Sequence, residues 1–233
     1  MPPPRVLAIG AHPDDVEFGC AAVLINEIRA GAAVKIWVLS LGEAGSNGTP
    51  EIREKESRKA AALIGAEVGF EDFAGDCHIE YTPANAIRVA REIRSFRPDI
   101  VLAPHISEDQ HPDHAHVGKL ARDASRLARY GGLADLAVQT PHTIQSLYYY
   151  SVTREFGARP DLIVDISSAR ELWEQAMLCH ASQAASRNYV EMRLAATRSL
   201  GAQAGVEYAM GLYMNDPVLL DRISQLPGGA RHF

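Results

Sequence analysis

The feature that most constrains this chain is an alternation of short apolar runs with longer amphipathic stretches. RVLAIGAH (5–12), AVKIWVLSL (33–41), EVGFEDF (67–73), DIVLAP (99–104), IQSLYYYS (144–151) and DLIVDIS (161–167) read as strands by length, composition and flanking residues. Between them, DVEFGCAAVLINEIRAG (15–31), EIREKESRKAAALIG (51–65), ANAIRVAREIRSF (84–96) and most of HPDHAHVGKLARDASRLARY (111–130) carry helical spacing. In the first of these, Val16, Cys20, Val23, Leu24 and Ile28 share a face, and Gly31 supplies a stop. Helices then dominate to about Gly205, and VEYAMGLYM (206–214) reads as the start of a short extended tail. Strands alternating with helices, without repeats or a low-complexity linker, predict an α/β fold with a largely parallel sheet. No boundary divides the 233 residues, so a single domain spanning 1–233 is expected.

Composition narrows the function. A formal charge of −6 argues against a phosphate-backbone binder, so no nucleic-acid partner is expected. The three cysteines, Cys20, Cys77 and Cys179, are scattered and form no CxxC pair, which favours a reducing compartment. MPPPRVLAIG lacks the basic and long apolar regions of a signal peptide, and no apolar run approaches the ~20 residues needed to cross a bilayer. A cytoplasmic protein without a membrane partner is the expectation.

Two polar clusters stand at strand ends: HPDD after the first strand, and HISEDQHPDH after the fourth. In parallel α/β sheets, ligands sit outside the carboxyl ends of strands, where strand order reverses. His12 and Asp15 lie three apart on a strand-to-helix turn, and His111 and His114 lie three apart near the start of another helix. A catalytic zinc takes three nitrogen or oxygen ligands and keeps one position open, which these residues can supply if the fold joins the two segments. Taken singly, HPDD also reads as a helix cap built from Asp14 or Asp15, and HPDH as a solvated loop with incidental histidines. Their joint placement at strand ends favours the metal.

The segments AHPDDVEFGC, SNGTPEIR and RPDIVLAP…EDQHPDH resemble the PIG-L/LmbE family of zinc-dependent N-acetylglucosaminyl deacetylases. The likeness continues through HASQ (180–183), NYVE (188–191) and GVEYAMGLYMNDPVLL (205–220), and is nearest to the bacterial enzymes that deacetylate N-acetylglucosaminyl-malate in bacillithiol synthesis. It implies an LmbE-like, three-layer Rossmann-like domain with helices flanking a mostly parallel sheet. It also implies a zinc ion, with iron or another divalent metal as alternatives, held by His12, Asp15 and His114. Asp14 would be the general base, His111 the residue facing the scissile carbonyl, and Asp113 its orienting partner. Tyr189 would swing over the substrate as a second oxyanion donor, although the stretch before it is shorter than in some relatives. Arg53 would meet substrate at the mouth of the site, against the plainer reading of a surface arginine paired with Glu56. Asn47 would bond the sugar or simply serve the turn. The resemblance implies a small N-acetylated sugar as substrate and a homo-oligomer, often a hexamer in relatives.

Protonated His111 would stabilise the oxyanion, a state that Asp113 would favour. His105 and His116 read as second-layer or exposed, Glu17 as a first-turn acid suited to the helix dipole with a contact behind the site as the alternative, and YYY (148–150) as strand packing. Rival functions are hydrolysis of another small amide and a non-catalytic nucleotide-binding module. The second is disfavoured because GAHPDD lacks the later glycines of GxGxxG.

Overall fold

A computed structural model describes residues 2–107, 110–152, 159–184 and 188–230. Seven strands form one sheet in the order β3-β2-β1-β4-β5-β7-β6. The strands are β1 (Arg5–Gly10), β2 (Ala33–Val38), β3 (Glu67–Phe70), β4 (Ile100–Pro104), β5 (Ser146–Tyr150), β6 (Leu162–Asp165) and β7 (Ala209–Met214). The five from β3 to β5 in that order pair in parallel, and β7 pairs antiparallel with both β5 and β6.

β1 shows why the sheet lies between two helical layers. Its side chains alternate: Val6 and Ala8 join one apolar cluster, Leu7 and Ile9 the other, and all four are buried. A strand covered on both faces has no polar face, hence the continuous apolar run. The first cluster takes in α2 (Ala21–Arg29), α3 (Pro50–Ile64), α6 (Arg170–Leu178) and α8 (Tyr189–Ala204). The second takes in α4 (Pro83–Phe96) and α5 (Pro112–Leu127). Strand order reverses at β1, whose neighbours are β2 on one side and β4 on the other. The carboxyl ends of β1 and β4 therefore open side by side. Among the described residues, no helix is long and apolar enough to cross a membrane.

Two expectations are corrected. The stretch 206–214 is no tail: β7 is inserted between β5 and β6, and Ala209, Met210, Leu212 and Tyr213 are buried. The chain returns sharply into the sheet where Gly201 of α8 packs on the backbone of Glu207 and Tyr208. The helix expected over 15–31 is broken at Cys20 (φ −148°, ψ 3°) into α1 (Asp15–Gly19) and α2. Gly19 meets the Tyr150 ring so closely that an added Cβ would lie 2.3 Å from Cδ2, which fixes α1 hard against β5. The tyrosine run packs as expected, with Tyr150 Oη donating to the Ile9 carbonyl at 2.7 Å.

Close approach also fixes α5. A Cβ on Gly118 would stand 2.3 Å from the Pro104 carbonyl at the end of β4. Gly118→Ala is therefore expected to push α5 off β4 and cost about 1–3 kcal/mol, the usual range for overpacking. The urea unfolding midpoint measures this; an unchanged midpoint would mean the helix seat tolerates a methyl group.

Candidate metal centre and its cleft

The HPDD turn is built around Asp15. Its Oδ2 accepts from the backbone N–H groups of Ala11 (2.8 Å) and His12 (2.9 Å), folding the carboxylate back onto the end of β1. Its Oδ1 lies 3.0 Å from His114 Nε2 on α5. Asp14 makes no side-chain cap bond and holds a left-handed backbone, φ 118°. Such a conformation costs a non-glycine residue about 1–3 kcal/mol and is retained where function constrains the turn. Capping thus explains neither aspartate.

His12, Asp15 and His114 are buried, and their candidate donor atoms lie within 4.8 Å of one another. The His12 ring shows its two nitrogens to different neighbours. Nδ1 is 3.6 Å from Asp15 Oδ2, while Nε2 is 3.2 Å from Asp113 Oδ2 and 3.0 Å from Asp76 Oδ1. Two carboxylates at Nε2 assign the proton there and leave the Nδ1 lone pair facing Asp15 and His114. Burial alone would raise the Asp15 pKa, but the charges of His114 and His12 hold it well below the usual carboxylate range. Two imidazoles and an ionised carboxylate, converging beside an open cleft, fit a divalent metal with one side left free.

Asp113 serves His12 more directly than His111. Its Oδ2 also accepts from the Cys77 N–H at 2.8 Å, whereas His111 Nδ1 is 3.8 Å away. His111 is the N-cap of α5, its Nδ1 accepting from the Asp113 N–H at 3.3 Å, which leaves Nε2 as the protonated nitrogen toward the cleft. Burial, then the neighbouring His12 charge, lowers the His111 pKa. In the neutral ring, this arrangement places the N–H donor at Nε2.

Arg53 is buried at 5% exposure instead of standing at the mouth. Its Nη1 donates to the Gly42 carbonyl (3.0 Å) and its Nη2 to that of Pro13 (2.9 Å), with Asp14 Oδ1 3.6 Å from Nη2. The alternative pairing with Glu56 is absent as well, since that carboxylate accepts from the N–H and hydroxyl of Ser182. Burial pushes the Asp14 carboxyl up to about 6, against the opposing charge of Arg53. Asn47 is exposed and engages Gln183 through its carbonyl (2.8 Å), while Ala44, Gly45 and Ser46 line the cleft.

The cleft has a volume of about 250 Å3 and joins Asp14, His111, Asp76, Gln183 and Tyr189 around the metal cluster. Tyr189 is half-buried at the start of α8, edge-on to Phe18 with ring centroids 6.1 Å apart. It lines the cleft, and residues 185–187 of the shortened stretch before it lie outside the described residues. His105 packs edge-on to Tyr149 and Tyr213, and His116 bonds the Ile79 carbonyl, so both serve the framework.

Sequence reasoning missed Asp76 and misplaced Glu17. Asp76 lies in the loop after β3, where GDC reads as an ordinary turn; the only signal was another strand end on the same side of the sheet. Its pKa is low because the His12 hydrogen bond and charge outweigh the effect of burial. Glu17 is fully buried, 3.4 Å from the equally buried His180. Burial would lower the His180 pKa, but the Glu17 charge raises it overall.

Comparison with known proteins agrees with this arrangement. Residues 7–125 match the family model described as PIG-L, GlcNAc-PI de-N-acetylase. Diacetylchitobiose deacetylase from Thermococcus kodakarensis is 30% identical over 196 residues, covering 77% of this chain and 70% of that protein. The crystal structure of the conserved protein TT1542 from Thermus thermophilus superposes with a TM-score of 0.83 at 34% identity, covering 92% of this chain and 96% of the other. GalB, the 4-carboxy-2-hydroxymuconate hydratase from Pseudomonas putida, also reaches 0.83, covering 94% and 99%, but at 23% identity this shows the fold alone. The matched segment contains both strand-end clusters, and the chain belongs to the PIG-L family of de-N-acetylases.

Proposed function

We propose that this deacetylase removes the N-acetyl group of an N-acetylglucosamine conjugate, with His12, Asp15 and His114 holding a zinc ion. The observation that carries the reading is the convergence of these buried donors, with Asp14 beside them, at the sheet's reversal point. Bound there, the ion would polarise the amide carbonyl and acidify a water. Iron or another divalent metal would satisfy the same donors, since N/O sets discriminate poorly.

Asp14 takes the proton of the attacking water and returns it to the departing nitrogen, so that amide and water become acetate and amine. Its carboxyl makes no cap bond, and the Arg53 guanidinium lies 3.6 Å from it. His111 donates Nε2–H to the carbonyl oxygen as negative charge develops, and Tyr189, which also lines the cleft, is the second donor. Asp113 and Asp76 fix the His12 ring through Nε2.

The narrower substrate, N-acetylglucosaminyl-malate, is supported by the HASQ, NYVE and GVEYAMGLYM stretches. An uncharged N-acetylated saccharide is favoured by the lining itself. Among the described residues of the cleft, Arg53 is the sole Arg or Lys, and both its Nη atoms bind backbone carbonyls. Rates on a panel of neutral and malyl N-acetylglucosaminides decide between them. Absence of turnover on every member by the metal-loaded protein would contradict the deacetylase reading.

Asp14→Asn preserves size but cannot accept a proton. It is expected to keep its metal and lose about 10²–10⁴ in kcat, the usual share of general-base catalysis. Near-normal turnover would remove Asp14 from the chemistry. Arg53→Lys cannot bridge the Gly42 and Pro13 carbonyls together, and one lost charged bond is worth ~1.5–3 kcal/mol. If its effect passes through Asp14, kcat should fall by roughly one to two decades on neutral and malyl substrates alike. A loss confined to the malyl compound would show instead that Arg53 reads the aglycone.

A further inference from the structure

The loop after β3 places a thiol where no role has been assigned. Cys77 is exposed and lines the same cleft as Asp14. Its Sγ is 3.4 Å from Asp76 Oδ1 and 3.5 Å from His111 Nε2, and those two atoms are 3.7 Å apart. Ligand atoms around a tetrahedral zinc, with bonds of about 2.0–2.3 Å, stand roughly 3.3–3.6 Å from one another. The three separations are close to three edges of such a tetrahedron.

We propose that Asp76, Cys77 and His111 form a second metal site, distinct from the first in its sulfur ligand and suited to a soft divalent ion such as zinc. The loop's shape supports this placement. Cys77 holds a left-handed backbone (φ 68°), and its N–H is anchored on Asp113 Oδ2, so the side chain is fixed toward His111. Asp76 is 8% exposed, with Oδ1 shared between His12 and the thiol. A thiolate distinguishes this site chemically, since sulfur selects zinc over harder ions that oxygen and nitrogen donors accept.

Binding needs no redox partner. The Cys77 S–H bond breaks, its proton passes to solvent, and the sulfur lone pair bonds the ion. Ligation through His111 Nε2 moves that ring's proton to Nδ1 and gives up the present contact from the Asp113 N–H, with Asp113 Oδ2 3.8 Å away. The nitrogen that donates to the substrate carbonyl is thereby consumed. Occupation of the second site inhibits, a consequence that rests on the proposed role of His111, whereas the site itself does not.

Cobalt(II) titration of metal-stripped protein tests the site without substrate. The first equivalent should enter the His12–Asp15–His114 centre and produce no thiolate charge-transfer absorption. The second should bring up the near-ultraviolet thiolate-to-cobalt band in wild type, and Cys77→Ala should lack it. With added zinc, turnover of the wild type should fall beyond one equivalent and that of Cys77→Ala should not. No band at any cobalt ratio would overturn the proposal. So would a band that persists in Cys77→Ala, which would assign it to the buried Cys20 or Cys179. Failure of the deacetylase reading alone would leave the spectra as expected and remove only the zinc-inhibition arm.

Discussion

The carboxylate of Asp15 joins the two halves of the site. One oxygen is bound by two backbone N–H groups at the end of β1, and the other faces His114 at the start of α5. These segments are 99 residues apart in sequence and meet because β1 and β4 are neighbours in the sheet. The backbone bonds orient the carboxylate, and the charges of His114 and His12 keep it ionised. Removing the His114 partner would leave a buried charge poorly compensated, a penalty of several kcal/mol. The remainder of the cleft is arranged about this anchor.

Its surroundings show how much polar chemistry the interior carries. His12 shares Nε2 between Asp76 and Asp113, and Asp113 also holds the Cys77 N–H. Arg53 spends its guanidinium on two carbonyls and on Asp14. Behind α1, Glu17 faces His180, and the Arg193 side chain reaches the Phe18 carbonyl at 3.0 Å. Burying such groups is favourable only when each finds a partner, so the network resists partial substitution. It also explains why α1 is short: it is held from three sides, by Tyr150, Trp173 and Arg193.

Much of this was legible in the residues. Apolar runs alternating with helical spacing yielded the parallel sheet, because strands buried on both faces have little freedom of composition. HPDD and HPDH stood out because paired acids and histidines at strand ends serve packing poorly. The rest depended on tertiary placement. VEYAMGLYM looked like a tail because local pattern carries no information on insertion between β5 and β6. Glu17 sits where a first-turn acid belongs, and its burial comes from α6 and from His180, two residues beyond it and about 160 residues later in the chain. Arg53 has the spacing to pair with Glu56, yet the loop before α3 turns it inward to Gly42 and Pro13. Asp76 acquires meaning only once β3 is known to end beside β2, on the same side of the sheet as the end of β1.

The central claim is that His12, Asp15 and His114 together hold one tightly bound divalent ion. Elemental analysis of protein dialysed against a weak chelator tests it most directly, comparing wild type with His114→Ala. The account predicts one equivalent of metal retained by the wild type and its loss from the variant, with the far-ultraviolet circular dichroism of both unchanged. Full metal retention by a folded His114→Ala would contradict it.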